Sequence, residues 1–128
     1  MFLQITDSMT IGEVQDRFNE CFPFLDIAFY SKPHDLYEGS DKKYLYSNKI
    51  RISNIRHKHV NGVVEIKSWD TIATVEKKMK DIFDLNAQIF RYDAIGCWIQ
   101  TTHSDDLTLK QLSQFAADSL SVGQHAGY

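Results

Sequence analysis

The chain has only two cysteines, Cys21 and Cys97, too few for a disulfide framework. No apolar run approaches the roughly 20 residues that a membrane helix needs. The opening Met1-Phe2-Leu3-Gln4-Ile5-Thr6-Asp7 lacks the basic and apolar segments of a signal peptide. There is no Gly-x-Ser-x-Gly elbow, no phosphate-binding glycine loop and no His-Glu-x-x-His. Expected on these grounds is a cytoplasmic, non-membrane protein with no cofactor and no legible catalytic motif.

What is present is close to a globular average. Of 128 residues, 43% are hydrophobic and 24% charged, which argues against a disordered tail, a collagen-like fibre or a low-complexity linker. The length fits one domain. The pattern assigns residues 1–120 to a single α+β domain. Residues 121–128, with two glycines and no periodicity, read as a flexible tail.

An internal repeat organises the chain. Leu3-Gln4-Ile5 resembles Val64-Glu65-Ile66 at an offset of 61, and Thr10-Ile11 matches Thr71-Ile72. Val14, Phe18 and Phe22 then match Val75, Met79 and Phe83. After a one-residue deletion, Leu25 to Phe29 matches Leu85 to Ile89. The candidate repeat spans 3–29 and 64–89. Two similar strand–helix–strand units would give the same pattern without duplication.

Each unit reads as β-α-β. Leu3/Ile5 and Val64/Ile66 alternate as half-buried strands do. Ile11, Val14, Phe18 and Phe22 form a helical stripe, opened by a Thr10/Glu13 capping box and stopped by Pro23. The second helix starts at Thr71 and is expected to bury Ile72, Val75, Met79, Ile82 and Phe83. Strands at 87–92 and 97–101 follow, joined by a turn at Asp93 to Gly96. A third helix opens with the Thr108/Gln111 box and buries Leu109, Leu112, Phe115, Ala116 and Leu120. Asn61-Gly62 is a strong hairpin signal, so Ile55–Val60 is expected to pair with Val63–Lys67. A right-handed crossover makes the strands flanking each helix parallel. Two such units in one sheet, helices on one face, give a ferredoxin-like α+β fold with an extra hairpin strand and a C-terminal helix. A β-grasp-like arrangement is the other option.

Charge is unevenly placed. Residues 1–39 carry net −5, residues 40–60 net +5 and residues 61–128 net −3. The basic island holds Lys42, Lys43, Lys49, Arg51, Arg56 and Lys58, with Tyr44, Tyr46, His57 and His59 among them. These six cations are the candidate anion-binding residues, because a basic stretch with interleaved aromatics can track phosphates and stack bases. A solvated loop and edge strand would look the same. The pI of about 5.9 weighs against a dedicated nucleic-acid binder. Residues 32–48, rich in turn formers and charge, are expected to form a surface loop.

The expected hairpin sets His57 opposite Ile66 and His59 opposite Val64 on the core face, with a Lys58–Glu65 ion pair on the other. Two histidines fall short of the four ligands of a structural zinc, and no Cys-x-x-Cys supplies the rest. His103 with Asp105 and Asp106 is the other histidine–carboxylate cluster, but it sits at a helix start. Cys21 ends a helical stripe and reads as core. A Cys97–His103 dyad has no support beyond composition. Trp98, Tyr92 and Phe90 read as sheet packing more than as a ligand cage.

Phe22-Pro23-Phe24-Leu25, Gln88-Ile89-Phe90-Arg91, Trp98-Ile99-Gln100-Thr101-Thr102 and Asp105-Asp106-Leu107-Thr108-Leu109 resemble segments of a family of small uncharacterised bacterial proteins. The turn at Asp93 to Gly96 departs from that family's shorter, more basic turn. The resemblance implies a bacterial cytoplasmic protein and supplies no activity, substrate or catalytic residue. Three functions stay open: a non-enzymatic binding or regulatory domain of unknown specificity, for which a homodimer is one option, a nucleic-acid or polyanion binder acting through 42–58, and a small enzyme with an unrecognised site.

Overall fold

The computed structural model describes residues 1–33, 41–92, 98–101 and 106–125, the last with side chains to Ser119. Its elements in order are β1 (Phe2–Ile5), α1 (Ile11–Cys21), β2 (Leu25–Tyr30), 3-10 turns at Lys42–Tyr44 and Ile52–Asn54, β3 (Gly62–Glu65), α2 (Ile72–Phe83), β4 (Asn86–Tyr92), β5 (Trp98–Gln100) and α3 (Leu109–His125). This is a mixed α+β fold. The Asp93–Gly96 turn lies outside the described residues.

Side-chain caps start all three helices. The hydroxyls of Thr10, Thr71 and Thr108 accept from the amides of Glu13, Thr74 and Gln111 at 3.2, 3.1 and 3.1 Å. Only the third is a full box, since the Thr108 amide also donates to the Gln111 side chain at 2.9 Å. The helix α1 ends as Phe22 leaves helical geometry ahead of Pro23. The helix α2 ends on Asp84, whose φ of 56° places it in the left-handed region. There the Asp84 and Leu85 amides close back on Lys80 and Met79. The helix α3 continues to His125, past the residue-120 boundary that the pattern suggested.

The described strands form two sheets, one pairing β1 with β3 and the other ordered β2-β4-β5. Every pairing between them is antiparallel. This corrects two expectations. First, the strands flanking each helix do not lie side by side in one parallel sheet. Each β-α-β unit leaves open edges on both its strands, and the other half of the chain supplies the partner for each. Second, Ile55–Val60 is not the hairpin partner of β3. That place is taken by β1, with Leu3 opposite Val64 and the ladder extended by Met1 and Ile66.

The hydrogen bonds of the two halves correspond. Ile11 donates to Ile50 O and Ile72 to Leu107 O, at 2.9 and 3.0 Å. Ile52 donates to Met9 O and Leu109 to Asp70 O, at 2.8 and 3.0 Å. Tyr46 donates to Phe29 O and Thr101 to Ile89 O, at 3.0 and 3.2 Å. Leu45 bridges Tyr30 on one edge of the larger sheet, as β5 pairs with β4 on the other. The turn at Ile52–Asn54 thus sits where α3 begins in the second half.

The core joins Leu3, Ile5, Val64 and Ile66 from the smaller sheet to Leu25, Ile27, Phe29, Ala87 and Ile89 from the larger. Helix residues Ile11, Val14, Phe18, Ile72, Val75, Met79, Phe83, Leu109 and Leu112 complete it. Ile82 and Phe115, expected inside, are exposed. Phe83 takes the inward position at the end of the α2 stripe. The Phe115 ring instead lies 5.0 Å from the Arg91 guanidinium.

Asp84 ties the segment before β3 to the end of α2. Its carboxylate accepts from the amides of His57 and Lys58 at 2.9 and 3.1 Å, which holds its pKa down at about 2. Unfolded, the group takes up its proton near the ordinary value, so from about pH 4 to pH 2 the unfolded chain binds more protons. Stability should therefore fall on acidification through that window. An Asp84→Asn variant, still tolerant of the left-handed region, should lose on the order of 1–2 kcal/mol at pH 7 and show a shallower acid limb, read by urea unfolding across pH.

Candidate functional site

The basic island is not one surface. Lys42, Lys43, Lys49, Arg51 and Lys58 are exposed, whereas Arg56 is buried. Arg56 Nε and Nη2 donate to Asp7 Oδ1 at 3.0 and 2.8 Å. Its other bonds go to Val60 O, Phe83 O and Asn61 Oδ1 at 2.9, 3.2 and 3.2 Å. A guanidinium so committed has no donor pointed at solvent phosphate, so Arg56 leaves the anion-binding set. Arg51 donates to Ser8 O, and Lys58 Nζ lies 3.4 Å from Asp81 O. Lys43 pairs with Asp41 at 3.8 Å and lies over the Tyr44 ring, as does Lys32.

His57 and His59 are exposed, not on the core face, because their segment makes no hairpin with β3. His59 Nδ1 is 3.0 Å from Asp7 Oδ2. The Arg56 hydrogen bonds, foremost, hold the Asp7 carboxyl below its usual range against the opposing effect of burial, with the His59 contact adding to the lowering. No Lys58–Glu65 pair forms, since Lys58 faces α2. Asn61 is no turn residue either: its side-chain oxygen accepts from the Asp7 amide at 2.9 Å. Among the described residues no three histidines, cysteines or carboxylates gather to hold a metal. Cys21 is exposed, contrary to the core expectation. Cys97, His103 and Asp105 lie outside the described residues.

The larger sheet has a second face, turned away from the core. By register it carries Asp26 opposite Phe90, Ala28 opposite Gln88 and Tyr92 opposite Trp98. The rings of Tyr92 and Trp98 pack at 4.9 Å. Along the β2 edge of this face runs the segment Leu45–Asn48, pinned to β2 by the Tyr46 bond and to α1 by Gly12 N–H to Asn48 O at 2.8 Å. A side chain at position 12 would press on that carbonyl, a Cβ lying 3.2 Å from it. Between the segment and the sheet is a cleft of about 360 Å3, lined by Gln15, Asp26, Ala28, Leu45, Tyr46, Ser47, Asn48, Phe90 and Trp98.

Polar side chains of α1 and of β2 itself satisfy the edge of β2 beyond the Leu45 bridge. Gln15 Nε2 donates to Ile27 O at 2.9 Å, and Asn19 does the same to Leu25 O at 2.9 Å. Asp26 Oδ1 accepts the Ile27 amide at 2.8 Å. No cation lies within ion-pair reach of Asp26 among the described residues. Burial pushes its carboxyl up, the Ile27 amide opposes this, and the nearby Asp16 charge adds to it. The sequence reading missed Asp26. Its one signal was a lone acid inside the apolar run Leu25 to Phe29. Phe90 and Trp98, read as packing, line the cleft as well.

Comparison with protein-family models, with curated proteins and with solved structures returns no match.

Two substitutions separate structural from surface cations. Arg56→Met should cost roughly 2–4 kcal/mol in urea unfolding, because Asp7 and two carbonyls lose a buried donor. Replacing Lys42, Lys43 and Lys49 together by Gln should change stability by less than about 0.5 kcal/mol per site.

Proposed function

We propose that this chain is a non-enzymatic binding domain and that the cleft on the outer face of β2, β4 and β5 is its binding surface. One observation carries the reading. Leu45, Phe90 and Trp98 from three separate segments line a concave site around the half-buried Asp26. Apolar walls with a few convergent polar groups are what ligand sites are made of. We read the corresponding bonds of 3–29 and 64–89 as an internal duplication, and the family resemblance as pointing to the bacterial cytoplasm. No helix among the described residues is long and apolar enough to cross a membrane.

The test is a screen of fragment-sized compounds against 15N-labelled protein. The reading expects hits that move the Trp98 indole signal together with the Asp26 and Phe90 amides. A screen in which no compound moves these signals at millimolar concentration overturns it.

Self-association is a second reading, supported by the outer face of the smaller sheet. Phe2 and Val63 stand there 74% and 60% exposed. A second copy covering this face should show as a concentration-dependent dimer in sedimentation equilibrium, dispersed by Phe2→Ser. A strict monomer at all concentrations rules it out. Polyanion binding through 42–58 is left with five exposed cations and without Arg56. Loss of oligonucleotide binding in the three-lysine variant, at about 50 mM salt, is its test.

A further inference from the structure

We infer that the ligand of this cleft is a small organic cation, a primary ammonium or guanidinium group, held by Asp26 against the rings of Trp98 and Phe90. The inference rests on the binding reading above and adds the chemical class. Asp26 is the single charged side chain among the cleft residues. It uses Oδ1 for the Ile27 amide. Its second oxygen has no donor among the described residues. A half-buried carboxylate left in this state is destabilising unless something of opposite charge approaches. The protein brings no lysine or arginine there, although Lys42, Lys43 and Lys49 belong to the segments that bound the cleft.

The walls suit the same guest. Aromatic faces attract cations, and the attraction grows where water is excluded. Gln15 spends its amide N–H on Ile27 O, so the carbonyl end of that side chain is left as an acceptor. Asn48 adds a further side-chain acceptor among the cleft residues. An anion would meet the uncompensated charge of Asp26, with Asp16 near it. A neutral polyol could use the acceptors but would leave that charge unmatched.

Matched four-carbon probes test the assignment: butylammonium, butylguanidinium, butanol and butyrate, each titrated by the Trp98 indole and Ile27 amide signals. The cations should bind at least about tenfold more tightly than butanol, and butyrate least. Asp26→Asn keeps an acceptor for the Ile27 amide, so it should fold unchanged and lose that tenfold preference. Trp98→Leu should weaken the cations with Asp26 intact. Equal binding of butanol and butylammonium, or cation binding undiminished in Asp26→Asn, overturns the cation assignment and leaves the cleft reading standing. Absence of shifts from every probe, together with an empty fragment screen, overturns both.

Discussion

A full positive charge is buried where the halves of the chain meet, and the fold around it is arranged to hold that charge. Removing a guanidinium from water costs several kcal/mol unless its donors are met. The partners of Arg56 come from the end of β1 (Asp7), the approach to β3 (Val60, Asn61) and the C-terminus of α2 (Phe83). A helix C-terminus is also where a cation is favoured by the backbone dipoles. Arg56 therefore fixes the smaller sheet against the second helix. The neighbouring Asp84 does the reciprocal work, an anion receiving the amides of His57 and Lys58. Between them these two side chains set the path of 56–61, a stretch without a regular ladder of its own.

That path explains why the helices were legible in the sequence and the sheets were not. Helix signals are local. Thr10, Thr71 and Thr108 stand next to the stripes they cap, and all three caps form. Strand pairing is decided by partners far away in the chain. Asn61-Gly62 looked like a hairpin turn because its neighbours alternate. Its Asn side chain instead serves Asp7 and Arg56, residues that no local window connects. Leu3 and Val64 were matched as equivalent positions, yet nothing in that match indicated that they lie opposite each other. The error over Arg56 has the same origin. A run of cations reads as one surface until tertiary contacts withdraw one member to a carboxylate at position 7.

The candidate site was less legible still. An acid in an apolar strand gives a weak signal, and Phe90 and Trp98 alternate as sheet packing would. What turns them into a cleft is the pairing of Leu45–Asn48 along the edge of β2, set by backbone bonds from Tyr46 to Phe29, from Ser31 to Tyr44 and from Gly12 to Asn48. Leu45 enters the site only through that pairing. Its place could not be read from the charged, turn-rich composition of its segment.

The two halves solve one edge problem with different chemistry. In the second half Glu76, from α2, reaches across to the Ile89 amide at 2.9 Å and is buried. The matching helix position in the first half is Gln15, which donates to a carbonyl, Ile27 O. A donor on the helix leaves the Ile27 amide to find an acceptor elsewhere, and Asp26 on the strand itself supplies it. The carboxylate thus lies under a helix in the second half and on the outer face of the sheet in the first. On that face only one of its oxygens is needed by the backbone. The same edge-closing requirement that consumes an acid in one half leaves part of an acid available in the other, and it does so within the cleft that Phe90 and Trp98 line.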